Sequence, residues 1–337
     1  MNRSVICSLL LLIFACARPV PEATGSYNTI YIFADQPVRE RVENVLASVY
    51  DKTIRTPQEE KVFTLSWANL DSLGRLSTAK NLIFLAELSG GGKTSLWVVS
   101  SLDTVARRRV AQGRDWIFVK HDVYARGQIA IYLIAPTSTE LASNILINAK
   151  MLYNLVDSSI NERVKKYLYS PGFGERERVD IEKKLAKQWG FTLRVPGFYS
   201  LEKFDTNFVW IRALKPERWV FVYFETTDDK SLNTKYWLEK RNYVGAQYYE
   251  GDIILDSTLT LEESTIDNER ALKFSGLWFN PESYLGGPFV SYLFYKTEQK
   301  RKYIVDCALF APIVRKEPYL RHLNIIAQTF TTKTEHH

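Results

Sequence analysis

The chain has 337 residues, with 44 Lys and Arg against 38 Asp and Glu and a formal net charge of +6. That length suits about two domains with proper cores. The basic residues fall in short clusters separated by acids: Arg107-Arg108-Arg109, Lys165-Lys166, Lys183-Lys184 and Lys300-Arg301-Lys302. They read as solvated helix faces and hairpin tips, with a membrane-facing basic patch as the alternative, and nucleic acid is not an expected partner.

The N-terminus carries the most specific signal. Arg3 precedes an apolar run beginning at Val5, and Ile13-Phe14-Ala15-Cys16 closes it. The run is shorter than the roughly 20 residues that span a bilayer, so it reads as a cleaved signal peptide over residues 1–15. The sequence around Cys16 resembles the lipobox of bacterial lipoproteins. That resemblance implies a diacylglyceryl thiol, cleavage before Cys16 and N-acylation; a simple signal peptide with an incidental cysteine is the alternative. Several acyl chains on one residue make a stable anchor, since each buried CH₂ contributes about 0.8 kcal/mol. Residues 16–27 then read as lipidated cysteine and tether, and the ten residues from Ala17 to Ser26 reach at most roughly 33 Å. Ala17, by resemblance to sorted lipoproteins, favours the outer membrane, facing the periplasm, in a cell that has one. Cys7 leaves with the leader, so no intrachain disulfide is available, and Cys307, inside Ile304–Phe310, reads as a buried inert thiol.

Residues 28–170 are expected to form an α+β domain. Thr29–Phe33 reads as a strand, and Asp35 with Pro37 starts a helix whose stripe is Val38, Val42, Val45, Leu46 and Val49. Val62–Trp67, Asn81–Leu88, Ser95–Val99, Trp116–Lys120 and Gln128–Ile134 read as strands. Thr137-x-x-Glu140 is a capping box, opening one long helix through Leu141, Ile145, Leu152 and Leu155. A turn at Ser170-Pro171-Gly172-Phe173-Gly174 marks the boundary.

Residues 171–337 read as an aromatic-rich α+β domain: an antiparallel sheet flanked by helices. Ile181, Leu185 and Trp189 stripe a helix that stops at Gly190. Strands follow at Phe191–Val195, Phe208–Leu214, Trp219–Phe224, Leu272–Phe279, Phe289–Tyr295 and Tyr303–Phe310. Trp219–Phe224 is apolar on both faces, which predicts a central strand with a layer on each side. Asp229–Tyr243 reads as an inserted helix, and Pro318 opens a last one with Tyr319, Leu323, Ile326 and Phe330 on one stripe.

Asn207–Arg212, Gly276-Leu277-Trp278, Gly286–Tyr292, Ala311-Pro312 and Tyr319-Leu320-Arg321 carry a resemblance to the bacterial lipoproteins grouped as domain of unknown function forty-eight thirty-seven. It implies an envelope lipoprotein with two α+β domains and supplies no catalytic residues. At fold level only, the element order from residue 174 to 330 resembles the Mog1/PsbP-like sandwich, whose members mostly serve as binding or assembly factors.

Catalytic sets are not found. Gly90-Gly91-Gly92-Lys93-Thr94 lacks the first glycine of a phosphate loop, since position 87 is Glu87, and is expected to be a hairpin. There is no H-E-x-x-H, C-x-x-C or G-x-S-x-G, and no cofactor motif. His121-Asp122 and the pairs Glu262-Glu263 and Asp228-Asp229 read as solvated. Two features remain. Gly286-Gly287-Pro288 reads as a tight turn beside Trp278, which with Trp210 and Arg212 is a candidate binding surface. Asp306, an acid on an apolar strand face, needs a partner such as Arg212 or another strand arginine. The expected function is a membrane-anchored binding or assembly module, its partner another envelope protein or a glycan. The alternative is an envelope hydrolase acting on glycans or peptides.

Overall fold

The computed structural model describes residues 20–170 and 177–333. The leader, Cys16 and the Pro171–Gly174 turn lie outside the described residues. The first unit contains β1 (Thr29–Phe33), α1 (Gln36–Tyr50), the ribbon β2 (Thr53–Ile54) and β3 (Glu60–Lys61), β4 (Thr64–Ala68) and α2 (Leu73–Leu76). It continues through β5 (Asn81–Glu87), α3 (Lys93–Ser100), α4 (Thr104–Ala111), β6 (Ile117–His121), β7 (Ile129–Ala135), α5 (Ser138–Ile147) and α6 (Ala149–Tyr169). Its sheet runs β4-β1-β5-β7-β6, parallel except for the edge strand β6. The central strands β5 and β7 are buried on both sides, as a parallel sheet covered by helices requires.

The second unit contains α7 (Val179–Trp189), β8 (Ser200–Phe204), β9 (Phe208–Ala213), β10 (Glu217–Thr226), α8 (Thr234–Tyr248), β11 (Ile253–Ile254) and β12 (Thr260–Ile266). β13 (Glu269–Phe279), β14 (Gly286–Lys296), β15 (Arg301–Phe310) and α9 (Glu317–Ala327) complete it. The antiparallel sheet runs β11-β13-β14-β15-β10-β9-β8, with β12 also on β13. The chain is thus a two-domain α+β protein. β10 is a central strand as expected: Val220, Val222 and Phe224 enter one core, and Trp219, Phe221 and Tyr223 the other. α7 stops at Gly190, whose φ of 74° is left-handed.

Several expected elements differ. Ser95–Val99 is helical, within α3, because its buried residues Thr94, Ser95 and Val98 follow a helical period that the short apolar run concealed. The Gly90–Thr94 segment is therefore the end of a strand-to-helix loop and the start of α3, not a hairpin. Its helix N-terminus is already occupied: the Asp35 carboxylate accepts from the Thr94 and Ser95 N–H groups at 2.9 and 2.8 Å. Burial alone would raise the pKa of Asp35, but these donors outweigh it and hold the carboxyl below its usual range. The helix after Thr137 is two helices, broken at Asn148. Phe191–Val195 forms only an isolated bridge, Thr192 to Thr331. α8 begins five residues later than expected, where Asn233 accepts from the Tyr236 N–H.

The two units share apolar packing: α6 lies on α9, and Leu152, Val156, Ile160, Leu323 and Ile326 belong to one cluster. Arg321 ties the contact, donating to Asp157 and Asn161 at 2.6 Å and to Glu317 at 2.8 Å. The Glu60 carboxylate accepts from the N–H groups of Lys316 and Glu317 at the start of α9.

His322 lies in this interface, its Nδ1 shielded and without a hydrogen-bond partner among the described residues. Burial, then the charges of Arg218 and Arg321, push its pKa down from 6.5 to about 4. As pH falls through that window the unfolded chain takes up a proton that the folded state refuses, so stability present above about pH 6.5 is lost. The expected loss is up to about 3 kcal/mol. Glu182, raised to about 7 chiefly by burial, titrates nearby with the opposite sign. The check is therefore a comparison: urea unfolding of wild type and His322→Gln across this range, with a flatter acid slope expected in the variant.

Candidate functional site

At one end of the antiparallel sheet a recess of about 280 Å³ opens among β9, β10, β13 and the segment following α8. Alternation builds it. In the β9–β10 ladder Trp219 lies opposite Arg212, and Phe221 opposite Trp210. β13 adds Trp278, and the end of α8 and its following residue bring Tyr248 and Tyr249.

The rings interlock. Tyr249 stacks on Trp219 at 5.7 Å and meets Trp210 edge-on at 4.8 Å, while Trp278 packs edge-on against Trp219 at 5.4 Å. Polar groups converge on the same space: Arg212 pairs with Glu217 at 2.7 Å, and Asp252 accepts from Asn280 at 2.8 Å. Burial raises the pKa of Asp252, against the lowering effect of Asn280 and Arg241. Burial also holds the Tyr249 phenol well above its ordinary value. Four shielded polar atoms, the indole nitrogens of Trp210 and Trp219, Arg212 Nε and the Tyr249 hydroxyl, have no hydrogen-bond partner among the described residues. Buried donors are normally satisfied, so these four atoms are uncompensated polar groups in the wall of the recess.

Behind Tyr249 lies an ion pair with both side chains fully buried: Arg241 Nε on α8 donates to Asp306 Oδ2 on β15 at 3.1 Å. Burial raises the pKa of Asp306, and the Arg241 charge works against it. The expected strand partner Arg212 is instead engaged with Glu217. The correction has a simple cause: α8 covers this sheet face and can lower a long side chain onto it, whereas Arg212 lies at the sheet's end.

Of the residues picked from sequence, Trp210, Arg212 and Trp278 meet in the recess and Asp306 lies beneath it. Gly286, Gly287 and Pro288 are not a tight turn. They begin β14, opposite Phe279, Trp278 and Leu277. A Cβ on Gly287 would collide with the Leu309 carbonyl and crowd the Trp278 indole, so the glycine's role is close approach. The Trp278 indole donates to that same carbonyl at 3.3 Å. The turn itself is residues 280–285, where the Asn280 side chain accepts from the Glu282 and Ser283 N–H groups. Sequence reasoning missed Trp219, Tyr249, Asp252 and Arg241; the Tyr248–Asp252 run of aromatic, acid and glycine was the available signal. Cys307 is fully buried with its thiol pKa raised by burial, which fits an inert thiol.

Fold and recess together define a two-domain α+β protein with an aromatic pocket at the end of its antiparallel sheet. Residues 178–329 match the family described as Domain of unknown function (DUF4837), the family that the second half resembles in sequence. Residues 23–168 match Domain of unknown function (DUF8532). No curated protein matches the chain. Among solved structures, the Ran-binding protein Mog1p of Saccharomyces cerevisiae is 12% identical at a TM-score of 0.29, over 42% of this chain and 90% of that one. A protein from Bacteroides thetaiotaomicron is 7% identical at 0.26, over 43% of this chain and 46% of that one.

Proposed function

We propose that this protein is an envelope lipoprotein, held in the membrane through Cys16, whose C-terminal domain is a binding module for envelope glycans. The observation that supports the ligand class is the recess itself, where the rings of Trp210, Trp219, Tyr249 and Trp278 converge beside the polar side chains of Arg212, Asp252 and Asn280. A sugar ring offers an apolar face to stack on an aromatic ring and hydroxyl groups to hydrogen-bond polar side chains at its edge. The volume suits one or two rings, and the protein needs no cofactor for this task.

The experiment is titration of the mature protein with soluble peptidoglycan fragments, followed by tryptophan fluorescence. Trp210→Ala, at a half-buried position, is expected to weaken binding about tenfold, equivalent to about 1.4 kcal/mol, with the melting temperature little changed. No saturable binding by the folded wild type would end the glycan reading. An envelope hydrolase is the second reading, favoured by the raised pKa of Asp252 in a recess that Glu217 and Glu250 also line. It predicts product release that Asp252→Asn abolishes while binding persists.

The anchor has its own test. Cys16→Ser is expected to leave an unprocessed precursor and to remove the acyl mass from the mature N-terminus. A wild-type N-terminus at another position, or one free of lipid, would refute the anchor. The location that follows is the cell envelope, on the periplasmic face of the outer membrane where one exists.

A further inference from the structure

A larger concavity, about 1050 Å³, runs along α6 on the N-terminal domain beside the loop between β6 and β7. Ile129, Leu155 and Met151 supply apolar lining, and Arg126, Lys150 and Lys166 supply cations. Asp122 and Glu162 also line it, but the Asp122 carboxylate is engaged by the Gly127 N–H at 2.6 Å. Lys150 and Lys166 are exposed, and at 1.5 Å per residue they lie about 24 Å apart along the helix. Just before them, at the junction of α5 and α6, Leu146 is 61% and Ile147 80% exposed. Exposed apolar side chains beside lysines are the composition of a surface that meets a lipid interface.

The start of the described chain is fastened to this groove. The Arg126 N–H donates to the Pro21 carbonyl and the Arg126 carbonyl accepts from the Ala23 N–H, both at 2.8 Å. The Arg126 guanidinium pairs with Glu22 at 3.0 Å. The tether expected over residues 16–27 is therefore bound to the body from Pro21 onward. Between Cys16 and that clamp lie five residue steps, spanning at most about 18 Å. An acylated Cys16 would thus hold the Arg126 end of the groove within about 18 Å of the bilayer surface.

We infer that the α6 face docks onto the anionic phospholipid surface that holds the anchor: Lys150 and Lys166 meet phosphates, and Ile147 and Met151 enter the headgroup boundary. The inference rests on lipidation at Cys16. Each lysine near an anionic surface strengthens attraction by about fivefold. The test reconstitutes the lipidated full-length mature protein in phosphatidylcholine vesicles with and without phosphatidylglycerol, and reads amide exchange. Slower exchange over residues 122–129 and 146–166 is expected on the anionic vesicles alone, and it is expected to vanish in Lys150→Glu/Lys166→Glu with an unchanged melting temperature. Equal exchange on both vesicles, with the acyl mass present, overturns the docking and leaves the anchor standing. A wild-type protein lacking the acyl mass overturns both.

Discussion

Replacing Asp306 with alanine is expected to destabilise the protein by about 3 to 5 kcal/mol, the usual cost of breaking a buried ion pair from one side. Both members of the Arg241–Asp306 pair are fully buried, so the variant would leave a guanidinium without its counter-charge in an aromatic core. That guanidinium sits 5.3 Å from the centroid of Phe221 and 5.9 Å from that of Tyr249, and its two terminal nitrogens have no hydrogen-bond partner among the described residues. The double variant Arg241→Met/Asp306→Leu is expected to recover most of the loss, because it removes both charges together and leaves neither buried unpaired. Denaturant unfolding of the four-member cycle measures this. A single-variant loss below about 1 kcal/mol would mean that the pair contributes little net stability. Because Tyr249 packs between this pair and the recess, Asp306→Ala is also expected to weaken ligand binding, whereas the double variant largely preserves it.

Phe330→Ala is expected to cost about 3 to 5 kcal/mol, in the range for truncating a buried phenylalanine. Phe330 lies three residues beyond α9, not on its stripe as the periodicity predicts. It is nevertheless 2% exposed, stacked on Phe191 at 5.3 Å and edge-on to Phe294 and Tyr303 at 5.0 and 5.1 Å. The ring joins the closing segment to the sheet and to the chain after α7, so its removal opens a cavity where three aromatic rings meet. Thermal and urea unfolding read the effect. A loss under about 1 kcal/mol would show that the C-terminal segment does not stabilise the sheet.

Much of the architecture is legible in local pattern. Val38, Val42, Leu46 and Val49 recur at a helical period, and all are buried in α1. Trp219–Phe224 is apolar throughout, and only a strand covered on both faces satisfies that. Ser95–Val99 misled because five apolar or small residues fit a strand and a short helix equally well; the Asp35 carboxylate, sixty residues upstream, caps the helix. Its partnership is tertiary, and no window along the chain contains it.

The site divides the same way. Trp210, Arg212 and Trp278 are noticeable from the sequence as aromatic and charged residues on sheet strands, and Asp306 as an acid where alternation demands an apolar side chain. Composition and periodicity determine that such residues exist and which strand face each occupies. Which of them meet depended on strand order: β9 pairs with β10, and β13 reaches the same end of the sheet only through β14 and β15. The partner of Asp306 depended on where α8 crosses that sheet, and the role of Gly287 on how near the Leu309 carbonyl comes. Local pattern reports the preference of each segment for helix or strand because that preference is set by near neighbours. Ion pairs, shared pockets and close backbone approaches are set by distances between segments far apart in the chain, and only the packed structure fixes those.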